Sequence, residues 1–224
     1  MKISTFYQIY YKHRFAKANF FFKIYLSLII LIRFFFNSIF STNKINLDKL
    51  IISNPDLSDK DFNYLFEYFN SDKGNFFFNQ YAKSIKKEKI RGHEYSLFYN
   101  KYFKNLKKDK LNILELGTFK GGATAAFSFF FSNSKIYSGD LYPDLLNFYS
   151  KKISNFKIDT GSEVSISNVI IKNELEYDII IEDAGHYLKD QIISLFLLFK
   201  ILNPKGTFVI EELDFPDTRQ DMNI

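Results

Sequence analysis

From Leu111 onward, short apolar runs alternate with helical stretches, and seven of the nine glycines fall in this part of the chain. Apolar runs of four to six residues without polar alternation belong to strands buried on both faces, and the helical spacers between them are the crossovers that parallel strands need. The spacing predicts strands from Asn112 to Leu116, Lys135 to Ser138, Tyr177 to Ile181 and Thr207 to Ile210. Helices are expected from Gly121 to Ser132 and from Lys189 to Leu202, with a turn at Asn203-Pro204-Lys205-Gly206. The expected fold class is therefore α/β, a Rossmann-like, doubly wound parallel sheet. Ligands of such sheets bind beyond the carboxyl ends of the strands, so the residues that follow each strand are the ones to interrogate.

Composition narrows the chemistry. The 224 residues include no cysteine, which excludes disulfides, thiolate metal sites and cysteine nucleophiles. His13, His93 and His186 lie too far apart for a short zinc motif. The formal net charge of +5 is local: no acid precedes Asp48, while Lys2, Lys12, Arg14, Lys17, Lys23, Arg33 and Lys44 all do. From Asp48 onward 23 basic residues stand against 25 acidic ones, so the positive total is weak evidence for a nucleic-acid partner, and none is expected.

Three regions follow: a basic, aromatic helical segment (1–47), a helical cap (48–110) and a Rossmann-like core (111–224). The apolar run Ile24 to Ile32 is nine residues long and bounded by Lys23 and Arg33. At 1.5 Å per residue it covers about 14 Å, too little to span the ~30 Å hydrocarbon core. The bulky residues from Phe34 to Phe40 also do not offer a secretory cleavage site. Two readings remain, an interfacial helix attracted to anionic headgroups and a packing or dimerisation helix. The chain is accordingly placed in the cytoplasm, peripheral at the inner face of the membrane under the first reading. Ser41 to Asp61 reads as a linker, and Ser58-Asp59-Lys60-Asp61 as a capping box opening a helix with Phe62, Leu65, Phe66 and Phe69 on one face. Tyr95, Phe98, Tyr99, Tyr102, Phe103 and Leu106 recur at helical spacing and predict a second amphipathic helix.

After the first core strand stands Glu115-Leu116-Gly117-Thr118-Phe119-Lys120-Gly121-Gly122. A dinucleotide loop places its glycines for a pyrophosphate on a helix N-terminus. Here the gap between glycines is longer and a carboxylate precedes them, which suits a cationic ligand better than a phosphate. Asp140 ends the second strand, where a carboxylate can accept both ribose hydroxyls of an adenosine.

The stretch from Ile113 to Gly122, with Asp140, resembles motifs I and II of class I S-adenosylmethionine-dependent methyltransferases. More narrowly, the chain resembles the macrocin and mycinamicin sugar O-methyltransferases and their cephalosporin-hydroxylase-like relatives. Asn70-Ser71-Asp72-Lys73-Gly74 with His93-Glu94-Tyr95, Glu182-Asp183-Ala184-Gly185-His186 with Gln191, and Val209-Ile210-Glu211-Glu212 are similar to further blocks of that group. Together they cover about Ser71 to Glu212.

The resemblance implies S-adenosylmethionine as cofactor, held by Asp72, Lys73, Gly74, Tyr95, Glu115, Gly117, Gly121 and Asp140. An adenine-contacting acid is implied at Asp159, although a second register puts Thr160 there. His186 is the implied base and Asp183 its catalytic partner. A divalent cation, Mg²⁺ among the candidates, is implied at Asp183, Glu211 and Glu212; the sequence departs from the family in Ala184-Gly185 and in having Glu at 212. The implied reaction is O-methylation of a sugar hydroxyl on a glycoside, surface polysaccharide or natural product. Two other classes stay open: an NAD-dependent nucleotide-sugar oxidoreductase, and a non-catalytic, membrane-associated cofactor-binding module. Such a sheet normally has seven strands, and only Leu213 to Ile224 follow the last one predicted here. The C-terminal strands are therefore expected to be missing, through truncation or because a partner, including a second copy in a homo-oligomer, covers the edge.

Overall fold

The computed structural model describes residues 2–39, 44–80 and 88–213. The chain divides into two compact units, Met1–Lys44 and Ile45–Ile224. The first contains helices α1 (Ile3–Tyr10), α2 (Lys12–Ala16) and α3 (Phe20–Ile39). Asn19 starts α3 by accepting the Phe22 N–H on its side-chain oxygen. Phe6, Tyr11, Leu26 and Ile30 bury one another in a small aromatic core, and Arg33 donates to the Tyr11 hydroxyl at 3.1 Å. Among the described residues no helix is long and apolar enough to cross a membrane.

The second unit runs β1 (Ile45–Asn46), α4 (Leu47–Ser53), α5 (Phe62–Tyr68), β2 (Phe76–Phe78), β3 (Lys89–Arg91), α6 (Ser96–Phe103), β4 (Asn112–Leu116), α7 (Gly122–Phe130) and β5 (Lys135–Asp140). It continues with β6 (Phe148–Tyr149), β7 (Ile153–Lys157), α8 (Glu163–Val169), β8 (Tyr177–Glu182), α9 (Leu188–Leu198) and β9 (Leu202–Ile210). Five of these strands form one all-parallel sheet in the order β7-β5-β4-β8-β9. Alternation along the central strands divides the core into two layers. Ile113, Ile179 and Ile181 face α5, α6 and α7, where Phe62, Phe66, Tyr99, Phe127 and Phe130 pack; Leu114, Leu116 and Ile180 face Ile166, Ile170 and Leu198 of the α8–α9 side. The Phe62 ring stacks on Phe130 at 3.7 Å between centroids, fixing α5 against α7. The strand order reverses between β4 and β8, which opens a crevice at their carboxyl ends.

The expected α/β sheet is present, and several local expectations are corrected. Ser41 to Asp61 is not a linker throughout: Asn46 caps α4, Leu47 and Leu57 join the core, and Pro55–Asp59 form a 3₁₀ turn. Residues 41–43 of that stretch lie outside the described residues. The cap of α5 is Asp61, whose side chain accepts the Tyr64 N–H at 2.9 Å, not Ser58. The second amphipathic helix ends at Phe103 and continues as a 3₁₀ turn, Lys104–Leu106. Its buried stripe is narrower than the periodicity suggests, because Tyr99 and Phe103 are buried while Phe98 and Tyr102 are exposed. Asn203 to Gly206 does not precede β9 but bulges within it: the register moves from Tyr177↔Leu202 to Ile179↔Thr207, and Lys205 takes φ 70°. The edge strand β7 and the hairpin β2–β3 have no counterpart among the expected elements. The polar stretch after Leu213 lies outside the described residues.

Candidate active site

The loop leaving β4 is shaped by its contacts with the neighbouring strand end. Gly117 has φ 85°, and a Cβ there would collide with the backbone carbonyl of Asp183. Two hydrogen bonds stitch the same region: the Gly117 N–H to the Gly139 carbonyl at 2.9 Å, and the Asp183 N–H to the Leu116 carbonyl at 3.0 Å. Gly121, at φ 82°, is the N-cap of α7. Asp140 latches the loop. Its Oδ2 accepts the Phe119 N–H at 2.8 Å, and its Oδ1 accepts the Tyr142 N–H at 2.7 Å. Glu115, on the last turn of β4 before this loop, is 1% exposed and accepts from the Thr124 hydroxyl at 2.6 Å. Burial pushes its carboxyl up to about 7, against the opposing pull of the Lys73 charge and the Thr124 hydrogen bond.

Facing this loop stand the ends of β8 and β9. His186 Nε2 lies 3.0 Å from Asp183 Oδ1, and the hydrogen bond to Asp183 raises the imidazole above its ordinary 6.5 despite partial burial. Burial alone would raise the Asp183 carboxyl; the ammonium of Lys73, followed by His186, reverses that and holds it at about 2. Glu211 moves the other way, raised by burial and by the Asp183 charge against the attraction of Lys73. Of the two carboxyls that share one ammonium, Asp183 therefore keeps the charge more firmly. The Tyr99 hydroxyl donates to Glu211 Oε1, and Gln191 Nε2 donates to the Glu211 carbonyl at 3.1 Å.

The third wall comes from the turn after α5 and the segment before α6. Lys73, 3% exposed, reaches from that turn to the carboxylates of both Asp183 and Glu211. Glu212 turns aside, accepting from the Tyr95 hydroxyl at 3.1 Å and lying 3.5 Å from His93 Nδ1; the His93 and Tyr95 rings stack at 5.3 Å. Four residues of the cleft, Asn70, Phe119, His186 and Glu212, have φ between 46° and 57°, a concentration of backbone strain expected where geometry serves a site.

These walls enclose a cleft of about 460 Å³, within the size range of small-molecule sites. Asp72, Lys73, Tyr95, Glu115, Gly117, Gly121, Asp140, Asp183, His186, Glu211 and Glu212 all line it. Two expected residues do not. Gly74 is buried against Phe66 and Glu67, and its carbonyl accepts the Glu94 N–H, a role in the packing of the turn. Asp159 is exposed and accepts the Gly161 N–H in its own turn, whereas Thr160 beside it is buried. Tyr99 and Thr124 are the residues that sequence reasoning missed: one sat on a core-facing stripe, the other inside an apolar helix, and neither carried a motif.

The set Asp183, Glu211 and Glu212 does not form the cation site expected of it. Two of the carboxylates grip Lys73 and the third faces Tyr95 and His93. Among the described residues no group of three or more His, Cys, Asp or Glu side chains comes together to hold a metal ion.

The sequence matches no protein-family model and no curated protein. Among solved structures, the MycE methyltransferase from the mycinamycin biosynthetic pathway, in complex with Mg and SAH, aligns with TM-score 0.54 and 21% identity, over 68% of this chain and 37% of its own. Its complex with Mg, SAH and mycinamycin VI aligns with the same TM-score over 39% of that chain. A putative protein-L-isoaspartate O-methyltransferase from Plasmodium falciparum, in complex with SAH, aligns with TM-score 0.42 and 20% identity over 75% of this chain. The chain thus spans well under half the length of MycE. With its parallel five-stranded sheet and a cleft at the β4–β8 switch point, the chain has the fold of the class I S-adenosylmethionine-dependent methyltransferases and resembles MycE among them.

Proposed function

We propose that this chain is an S-adenosylmethionine-dependent O-methyltransferase whose acceptor is a sugar hydroxyl on a glycoside, surface polysaccharide or natural product. The observation that carries the reading is the His186–Asp183 pair, set at the end of β8 across the cleft from Asp140 and the glycine loop. When bound, the cofactor supplies a methyl group activated on a sulfonium. The chain's own residues do the rest. Asp140 and the loop from Gly117 to Gly121 would hold the nucleoside, and the buried acid Glu115 would offset the charge of a cationic ligand. His186 would take the proton of the acceptor hydroxyl, and Asp183 would orient the imidazole and stabilise the imidazolium. Backbone contact between Gly117 and Asp183 sets the glycine loop directly beside the turn that carries His186, as an in-line transfer would require.

The sugar acceptor is supported by the likeness to MycE, which has been captured with mycinamycin VI. The same protein holds Mg, whereas the acids of this chain hold an ammonium, so no step here is routed through a metal. Calorimetric titration with S-adenosylhomocysteine and with NAD tests the cofactor. Incubation with glycoside acceptors, read by mass spectrometry for the gain of one methylene per hydroxyl, tests the reaction. Binding of NAD alone overturns the reading.

A separate observation favours a peripheral membrane role, on the cytoplasmic side, for the first unit. On α3 the exposed residues Phe20, Phe21, Ile24, Tyr25, Leu28, Leu31, Ile32 and Phe35 fall within an arc of about 140° at 100° per residue, with the exposed Phe22 about 60° beyond its edge. No charge interrupts that arc, and the segment that carries it has seven Lys and Arg and no acid. An apolar stripe on an all-cationic unit is the complement of an anionic lipid interface.

A further inference from the structure

Lys73 is buried at a place where a single ammonium meets two acids from distant parts of the chain. It stands on the turn between α5 and β2, while Asp183 and Glu211 follow β8 and β9. One oxygen of each acid receives its Nζ; the other oxygens are also engaged, Asp183 Oδ1 by His186 and Glu211 Oε1 by Tyr99. All four carboxylate oxygens of the pair thus have a partner within the protein. Beyond these two acids, Glu115 and Asp72 add their fields, and together they raise Lys73 well above its ordinary range even though burial pulls it down.

A hard divalent cation needs about six oxygen ligands in a close shell and dehydrates only when charge and geometry reward it. Here the third acid faces Tyr95, and a cation placed between Asp183 and Glu211 would lie in contact with an ammonium. Buried acids must be neutralised somehow, because an unpaired carboxylate in this surrounding is costly. An ammonium on a flexible four-carbon stem does so as a fixed point charge.

We propose that Lys73 is the resident cation of this cleft: its ammonium holds the ends of β8 and β9 together and, through Asp183, positions His186, in place of a divalent metal. Lys73 is in this sense a positioning residue. The proposal rests on the geometry of the acids and not on the methyl-transfer reading, so it is read by cation binding.

The full chain is titrated with Mn²⁺, followed by electron paramagnetic resonance, and with Mg²⁺, followed by calorimetry. The expected result for the wild type is no saturable site at millimolar ion, the range of weak carboxylate sites. Lys73→Met should bind Mn²⁺ at least about tenfold more tightly than wild type, because two adjacent carboxylates lose their counter-charge. That site should vanish when Glu211→Gln is added, and its melting temperature should rise with Mg²⁺ while that of the wild type does not. A wild-type Mn²⁺ site abolished by Glu211→Gln overturns the proposal, whether or not Lys73→Met folds. A folded Lys73→Met variant that binds no ion overturns it too, since the acids would then be unable to hold a metal whatever stands between them. Failure of S-adenosylhomocysteine to bind, by contrast, bears only on the cofactor reading.

Discussion

His186 Nε2 and Asp183 Oδ1 lie 3.0 Å apart across a tight turn in which His186 takes φ 57°, so the imidazole is presented to the cleft by a strained backbone and held there by one carboxylate. The raised imidazole works as a base only when neutral. Turnover should therefore increase as pH rises through a midpoint above 6.5. His186→Ala should lower turnover by about two to four orders of magnitude with cofactor affinity nearly intact. Asp183→Asn should move the midpoint down, because the largest cause of the raised value is removed. A pH profile of kcat that Asp183→Asn leaves in place would exclude His186 as its source.

Asp140 latches the glycine loop and, in the proposed reading, would also hold the ribose. Its carboxylate holds the Phe119 and Tyr142 N–H groups, and it faces the cleft where ribose hydroxyls would lie. Asp140→Ala should weaken binding of S-adenosylhomocysteine by about 1 to 3 kcal/mol, measured by calorimetry. Unchanged affinity would move the nucleoside site elsewhere.

Glu182 ends β8 fully buried, and the backbone N–H of Ala184 offsets only part of the cost of burying its carboxylate. Burial raises its pKa from 4.5 to about 7. For an acid shifted upward, the folded state is favoured by the neutral form. Its contribution is complete below pH 4.5 and is lost as pH rises through about 7. Glu182→Gln should thus match wild type in urea unfolding at pH 4 and exceed it by about 2 kcal/mol at pH 8. Parallel stability curves for the two proteins would refute this account.

The α3 arc makes the membrane reading measurable. The full chain should sediment with vesicles containing phosphatidylserine at low salt and be released as salt shortens the screening length to about 10 Å near 0.1 M. Leu28→Glu with Leu31→Glu, two exposed positions in the arc, should abolish sedimentation. Salt-independent self-association lost in the same double variant would assign the face to a second copy of the chain.

Periodicity located β4 and β8 to within a residue because their apolar runs are buried on both faces, which leaves the sequence no polar alternation to confuse. Edge strand β7 escaped for the opposite reason: Ser154, Asn155 and Lys157 are exposed, so Ile-Ser-Asn-Phe-Lys reads as loop. In the site, Glu115, Gly117, Asp140, Asp183 and His186 line one cleft, whereas Gly74 and Asp159 lie outside it. What the sequence hid is the ion pairing of Lys73, since contacts across 110 and 138 residues leave no local pattern. A lysine in a turn looks like any solvated lysine until the strand ends close on it.

The meeting of Gly117 with the Asp183 carbonyl has a consequence for how this scaffold tolerates change. The glycine loop and the turn that carries His186 abut backbone to backbone, so any side chain introduced at position 117 would drive the two apart. The turn around Asn70–Lys73 and the segment around His93–Tyr95 belong to other elements of the chain. Variation in the cleft is therefore left to residues such as His93 and Tyr95, which line it from outside that backbone contact.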